Sequence, residues 1–452
     1  MATYNTSTAD LENHPIDPST QAAVSDALQA AGLGDGSTVV VQQPSGSGSY
    51  TLDPSTNLFT ATDNNGNYTI DTSGSQTTPV IATGANSATI TLTGDQAANV
   101  IVGSGGATVT GGGGNDTIQG GTGNDTLSAG DAGGDHKLSS GGGNDSLLGG
   151  TGADTLTGGS GNSILVAGSG QNVVQGGSGE DTLYGGGQSS VTAGSGGQLV
   201  GGGGTNTSHD TLTGGSGSDQ LFTANGANVL TTSGTTGDTL IGGMGADTLK
   251  AVQGDNVLMA GTGKTVLEGG SGADTLYGGG QSSLTAGSGN QFLLGGFSNS
   301  AHDTLTGGTG NSSLQVYQGN NVLTGGSGHD TLYAGGGNDT LYGGDGGSKL
   351  GDYTGGGNTV MYGVSDTSTR TQFEIGASSG NDTIVGSAHD SLTILNHDPA
   401  GASYTLNADG STTISFADNL NVTVSGLSGV NYKSDDGTTT FHALGGPTNS
   451  HA

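Results

Sequence analysis

Eight aspartates in this 452-residue chain close the same short string, Gly-Gly-x-Gly-x-Asp: Asp116, Asp125, Asp154, Asp181, Asp219, Asp247, Asp274 and Asp330. Asp145 and Asp339 close near-copies in which Ser140 and Ala334 replace the first glycine. A turn of this composition offers backbone carbonyl oxygens and one carboxylate, which is the donor set of a hard cation. Carboxylates stacked at regular spacing would repel one another without such an ion. The sequence offers no competing chemistry. Gly263-Lys264-Thr265 imitates the end of a phosphate-binding loop, but Leu258 stands where its first glycine is required. There is no His-Glu-x-x-His, and no set of nucleophile, base and acid can be assembled.

The element that must position each Asp is written into the residues that follow it. In Gly111–Ser128 the order is GGGGNDTIQ and then GGTGNDTLS, a nine-residue unit ending in x-(Leu/Ile)-x. Glycine enters the tight turn at no steric cost. The last three residues form a minimal strand with its apolar side chain inward and its neighbours outward. The unit can be followed from Gly111 to about Gly363. Worn copies keep the inward residue and lose the Asp, as in GGSGNSILV (158–166), AGSGQNVVQ (167–175) and AGTGKTVLE (260–268). Units with inserted residues reach Asp210 and Asp303. A longer period overlies the short one: Gly176–Leu221 recurs at Gly269–Leu314, carrying His209-Asp210 onto His302-Asp303. These two histidines read as exposed loop residues, with a metal-ligand role as the alternative. Thr and Tyr flank the inward Leu in Thr182-Leu183-Tyr184 and Thr275-Leu276-Tyr277, so alternation turns both outward, as ordinary β-propensity or as a docking face.

Composition limits the architecture. With 97 glycines and only 29% hydrophobic residues, the chain has too little apolar side chain for several globular cores. It suits disordered low complexity, a fibrous repeat, or a solenoid stacked on one ladder of small apolar residues. Thirty-eight acidic against six basic residues give a net charge of −32. That balance opposes binding to nucleic acid or anionic lipid, which require clustered Lys and Arg. No stretch reaches the roughly 20 apolar residues of a transmembrane segment. The start of the chain lacks the basic and apolar regions of a signal peptide. With no Cys, thiol chemistry and Cys-based zinc sites are excluded.

In tandem, the nonapeptide resembles that of the repeats-in-toxin (hemolysin-type calcium-binding repeat) family over roughly Gly111–Gly363. The resemblance implies an all-β fold, a parallel β-roll or right-handed solenoid, in which two units make one coil and Ca2+ sits between same-side turns. The ions would be held by Asp116, Asp125, Asp135, Asp145, Asp154, Asp181, Asp219, Asp247, Asp274, Asp330 and Asp339. Counting alternate units puts Asp125 with Asp145, and Asp116, Asp135 and Asp154 on the other side. Asp181 then faces Gln198, Asp274 lies between Asn256 and Gln291, and Asp247 lies near Asn228 and Thr265. Strong sites are expected within 111–157 and weaker ones beyond, where uncharged side chains and hydrogen-bond ladders substitute. The resemblance also implies type I secretion, read from residues 390–452.

Two flanking regions frame the roll. Residues 1–85 read as a cap or attachment module. It contains a helix over Gln21–Ala31 started by Asp17 and Pro18, and strands at Thr38–Val41, Tyr50–Leu52, Leu58–Thr62 and Tyr68–Asp71. A hairpin turn is expected at Asn64–Asn67. Residues 86–363 form the repeats. Residues 364–452 read as a β-rich unit with a hairpin at Asn407–Gly410. The first functional expectation is a secreted, calcium-binding, non-enzymatic structural protein. It would self-assemble on a bacterial surface or in extracellular matrix, as a surface-layer-like or filament subunit. An adhesin or roll binding cell-surface glycan is the alternative, and an accessory roll of an extracellular enzyme the third.

Overall fold

A computed structural model describes residues 2–13, 16–62, 65–76, 78–130, 133–203, 209–298, 300, 302–353, 356–364, 368–376 and 380–444. The chain divides into two compact units, Met1–Asn228 and Val229–Ala452. The fold is all-β, a parallel β-solenoid.

In the first unit the nonapeptides behave as their pattern dictates. Each three-residue strand turns its middle side chain inward: Ile118, Leu127, Leu138, Leu147, Leu156, Leu165, Val174 and Leu183 are all buried. Burying each contributes roughly 1.5–3 kcal/mol against solvent. Alternate strands pair in parallel, so that Ile118 aligns with Leu138 and Leu156, while Leu127 aligns with Leu147 and Leu165. Two units therefore complete one coil, and two sheets face each other across a single file of aliphatic side chains.

The same stacking begins before the glycine pattern does. Thr38–Gln43, Leu58–Ala61, Val80–Thr83 and Asn99–Ile101 form one parallel ladder; Gly48–Thr51, Gly66–Asp71, Ala88–Thr93 and Thr108–Thr110 form the other. These coils are filled by larger groups, with Tyr50, Phe59 and Tyr68 in mutual ring contact at 5.6–6.4 Å. Leu58–Ala61 and Gly66–Asp71 lie in different sheets, so the segment between them passes from sheet to sheet and makes no hairpin. Asn64 lies outside the described residues; Asn65 takes the positive φ that the bend requires. Ala2–Ser7 closes one edge by antiparallel pairing with Thr38–Gln43, covering backbone that would otherwise be open to another strand.

Helix α1, Gln21–Ala30, lays Val24 and Leu28 on the outward side chains Val39, Val41, Leu58, Val80, Ala82 and Ile101. It begins later than Asp17 and Pro18 suggest. Thr20 occupies the cap position, but its hydroxyl donates to the Asp17 carbonyl at 3.0 Å and caps no helix amide. The Asp17 carboxylate is engaged elsewhere. Its Oδ1 accepts from the Ser19 amide and hydroxyl, and its Oδ2 from the Ser104 amide and hydroxyl at 2.6 Å each. Burial opposes ionisation here, but those four bonds hold Asp17 down to about 2.

The second unit repeats the pattern from Val229 onward, with Leu240, Leu249, Leu258, Leu267, Leu276 and Leu284 in the file. Past the glycine-rich units, Gly380–Val385 and Leu420–Ser425 continue one ladder, and Gln372–Ile375, Ser391–Leu395 and Gly429–Lys433 the other. Antiparallel strands then finish both sheets. Ser403–Leu406 pairs with Thr412–Ser415 through the expected turn, where the Asn407 amide donates to the Ser411 carbonyl. Thr439–Ala443 folds back on Gly429–Lys433. Among the described residues no helix is long and apolar enough to cross a membrane.

Candidate metal centre

The turn aspartates point into the coil. In the first unit Asp116, Asp125, Asp145, Asp154, Asp181 and Asp219 are buried, and in the second Asp247, Asp274, Asp330 and Asp339. Each lies two residues before an inward Leu or Ile, so strand alternation fixes its direction. A common pattern holds most of them. Asp125 Oδ1 accepts the Ala107 amide of the preceding coil at 2.8 Å, and Oδ2 accepts the Gly121 amide of its own turn at 2.9 Å. Asp116 does the same with Ala98 and Gly112, Asp181 with Ser163 and Gly177, and Asp330 with Ser312 and Gly326. The carboxylate is thus a peg tying one coil to the next.

Pairing of the strands sets which side chains stack. Asp125 and Asp145 are neighbours as expected, the Asp125 amide donating to Asp145 Oδ1 at 2.7 Å. Asp181 aligns with Gln198, Asp274 with Asn256 and Gln291, and Asp247 with Thr265. On the other side the expectation requires correction. His136, not Asp135, stands between Asp116 and Asp154: its Nδ1 accepts the Asp116 amide at 3.3 Å, and its own amide donates to Asp154 Oδ1 at 2.8 Å. Asp135 is exposed, and joins an outer row in which its amide meets Asn115 Oδ1 and its Oδ1 accepts from Ala153. The two extra residues of the unit 129–139 caused the slip. Its inward residue is Leu138, and two places before that is His136.

Around the pegs the backbone leaves a small oxygen-lined space. A Cβ added at Gly149 would lie 2.9 Å from Asp154 Oδ2 and 2.3 Å from the Ala167 carbonyl; at Gly111 it would lie 2.9 Å from Asp116 Oδ2 and 2.6 Å from the Ala129 carbonyl. Only glycine fits, and carboxylate and carbonyl oxygens converge where its side chain would be. Asp145 Oδ2 and Asp154 Oδ2 are buried without a hydrogen-bond partner. This donor set fits a hard cation that takes one carboxylate and several carbonyls. Among the described residues no three acidic or histidine side chains converge on one point, so backbone oxygen would supply most of the shell.

The electrostatics agree with that reading. Burial pushes Asp125 up to about 6, further than its two amide bonds offset, and the neighbouring Asp145 adds to it. Burial likewise raises Asp116, Asp145, Asp154 and Asp219. In the second unit it raises Asp339, with a contribution from Asp352. A divalent ion at these turns would remove the cost of keeping the carboxylates charged.

Worn turns are built differently. Asn172 Nδ2 donates to the carbonyls of Gly168 and Gly170, Asn256 Nδ2 to those of Gln253 and Gly254, and Gln291 Nε2 to that of Gly270 at 3.0 Å. The side-chain amide thus puts N–H donors on turn carbonyls of the kind a cation would use. Hydrogen bonding in place of an ion was expected at these turns; that the side-chain N–H groups would take the turn carbonyls was not. Sequence reasoning also missed an outer row one place before the pegs, in which Asn124 accepts from Asn144, Asn144 from Asn162, and Asn162 from Glu180. The recurring Asn-Asp pair was its signal. Three further buried aspartates, Asp238, Asp382 and Asp390, sit at peg positions without the full glycine string. The spacing Asp-x-(Leu/Ile) alone marks them.

These features define a solenoid of stacked oxygen-donor turns, a cation-binding parallel β-roll. The family model of the RTX calcium-binding nonapeptide repeat matches residues 101–132, 133–165, 157–191, 198–230, 232–267, 251–284, 259–293, 297–332 and 316–350. Together these cover more than half of the chain, and the protein belongs to that calcium-binding family. Repeats of this kind are typical of secreted proteins. No curated protein matches the chain at a significant level.

The peg geometry gives a direct prediction. Asp125→Ala removes the acceptor of one buried and one half-buried amide and should cost about 1–3 kcal/mol for the buried amide left unsatisfied. Asp135→Ala, on the exposed row, should cost less than about 1 kcal/mol. Urea unfolding of both variants at saturating calcium measures the difference, and equal losses would remove the distinction between inner and outer rows.

Proposed function

We propose that the protein is a secreted structural subunit that is ordered by external calcium and then self-assembles on a bacterial surface or in extracellular matrix. The observation that carries this reading is the stacked pair Asp125 and Asp145, buried beside oxygen-lined glycine pockets, in a chain of net charge −32. Where calcium is scarce the carboxylates and the overall charge oppose compaction. Where it is millimolar, binding free energy becomes folding free energy. Asp116, Asp125, Asp145, Asp154, Asp181, Asp219, Asp247, Asp274, Asp330 and Asp339 would contribute carboxylate oxygen. The turns of Asn172, Asn256 and Gln291 would close without an ion. Residues 1–85 would serve attachment, and residues 364–452 would carry the export signal.

Self-association is supported by apolar side chains on the outer faces. Leu148, Ile164 and Val173 are 45–50% exposed in the first unit, and such residues suit contact with another copy. A glycan-binding roll is the second reading. Tyr342 and Tyr362 stack at 5.0 Å with an interplanar angle of 9° on the outside of the second unit, an aromatic platform of the kind that receives sugar rings.

The test is a calcium titration reversed by chelator, following far-UV circular dichroism and light scattering on one sample. Gain of β signal together with large regular assemblies is expected. Folding without assembly would end the polymer reading and move glycan binding forward. Full structure in chelator at neutral pH would remove the role given to the aspartates.

A further inference from the structure

At turn after turn a glycine faces the peg. A Cβ would come within 2.9 Å of Asp125 Oδ2 at Gly120, 2.8 Å of Asp303 Oδ2 at Gly295 and 3.1 Å of Asp330 Oδ2 at Gly325. That glycine is the residue two places after the inward Leu, Ile or Val. The last glycine-rich turn of the second unit departs from the arrangement. Two places after the inward Leu350 stands Asp352, and the peg position opposite is Thr359. Strand pairing confirms the peg assignment. Val360 aligns with Thr340 and Thr383, which stacks Thr359 between Asp339 and Asp382.

The contacts follow from this placement. The Thr359 hydroxyl donates to Asp352 Oδ2 at 2.7 Å, and the Thr359 amide donates to Asp382 Oδ1 at 3.1 Å. All three side chains are buried, none more than 2% exposed. Threonine has one hydroxyl proton, and Asp352 takes it. Asp382 Oδ2 is left in the interior with no hydrogen-bond partner. Lys349, the basic residue nearest Asp352 in sequence, is turned to Glu374 in an ion pair. Two buried carboxylates therefore meet at one threonine, with a vacant acceptor oxygen between coils.

We propose that Asp352 and Asp382, with the oxygen of Thr359, hold a further calcium ion, in a turn whose carboxylate stands at the usual glycine position and whose peg is a threonine. The carboxylate enters the pocket from the glycine side, and the shorter threonine leaves it room. The site lies beyond residue 350, where the family match ends, and its sequence, DYTGGGNT, contains no Gly-Gly-x-Gly-x-Asp. The proposal rests on the calcium reading of the array but not on its role in assembly.

Calcium bound per chain is measured by equilibrium dialysis on the full chain, with circular dichroism to verify folding. Asp352→Asn and Asp382→Asn keep the shape and one acceptor oxygen but remove the charge, and each should bind one ion fewer than the parent. The double variant Asp352→Gly/Thr359→Asp returns the carboxylate to its usual place and should restore the parent count. Unchanged counts in both folded single variants overturn this site while leaving the rest of the array intact. A parent chain that takes up no calcium overturns both the site and the function proposed above.

Discussion

Freed of calcium by a chelating resin, the protein should gain β structure and resist urea better as pH falls from about 7 to about 4. Most proteins do the reverse, because their carboxylates are stabilised as anions in the folded state. Here seven of the inner carboxylates are shifted the other way. Asp125 stands at about 6 and Asp382 at about 7 against an ordinary value of 3.8, chiefly through burial, and burial also raises Asp116, Asp145, Asp154, Asp219 and Asp339. A raised folded value means that the folded chain binds protons more tightly than the unfolded one. The resulting stability is complete below about pH 4 and is lost as pH rises through 6 and then 7.

Acid should help only so far. Asp17 and Asp436 are held at about 2 by hydrogen bonds, against burial in the case of Asp17, and their contribution disappears as they protonate. The calcium-free optimum therefore falls near pH 4. With saturating calcium the profile should invert, because metal requires the ionised carboxylate and binds better as pH rises. Far-UV circular dichroism of metal-free and calcium-loaded samples across this range reads both effects. A metal-free stability that climbs steadily toward neutral pH would show that the buried carboxylates are already compensated.

Much of this arrangement is legible in nine residues. The inward Leu fixes strand direction, strand direction fixes the peg, and the two-unit coil fixes which pegs meet, so Asp125 with Asp145 and Asp181 with Gln198 follow from counting. Counting failed where it began from glycine. In 129–139 the eleven-residue unit holds two candidate aspartates, but the position two before Leu138 is His136, and the structure uses that spacing. Asp238, Asp382 and Asp390 were passed over for the same reason. At the ends the difficulty was different. The apolar alternation of Leu58–Ala61 and Gly66–Asp71 announces strands without naming partners, and short separation suggests a hairpin. Tyr50, Phe59 and Tyr68 pack against one another between parallel ladders. Pairing of that kind is decided by packing between coils, which no local pattern records.

Glycine is the other half of the design, and its strictness can be measured. Gly186→Ala should destabilise the first unit by about 3 kcal/mol or more. An added Cβ would lie 1.1 Å from the carbonyl oxygen of Gly168 in the preceding coil, and 2.2 Å from its carbon. That neighbour has little freedom to withdraw. Gly168 is held at a φ of +82°, its carbonyl accepts from Asn172 Nδ2 at 3.3 Å, and the Ser169 amide is bonded to Gly150. Relief must come from parting the coils, which breaks the amide ladder on either side. Gly34→Ala is the control, since nothing lies within 4 Å of its added Cβ and its φ is not positive; it should stay within about 0.5 kcal/mol of the parent. Urea unfolding at saturating calcium gives the two losses. Because each coil contacts only its neighbours, hydrogen exchange should rise around residues 150–201 and stay low near Leu58–Ala61. A Gly186→Ala variant as stable as the Gly34→Ala control would mean that adjacent turns can separate freely. Contact between turns would then not hold the coils at the spacing that shared calcium sites require.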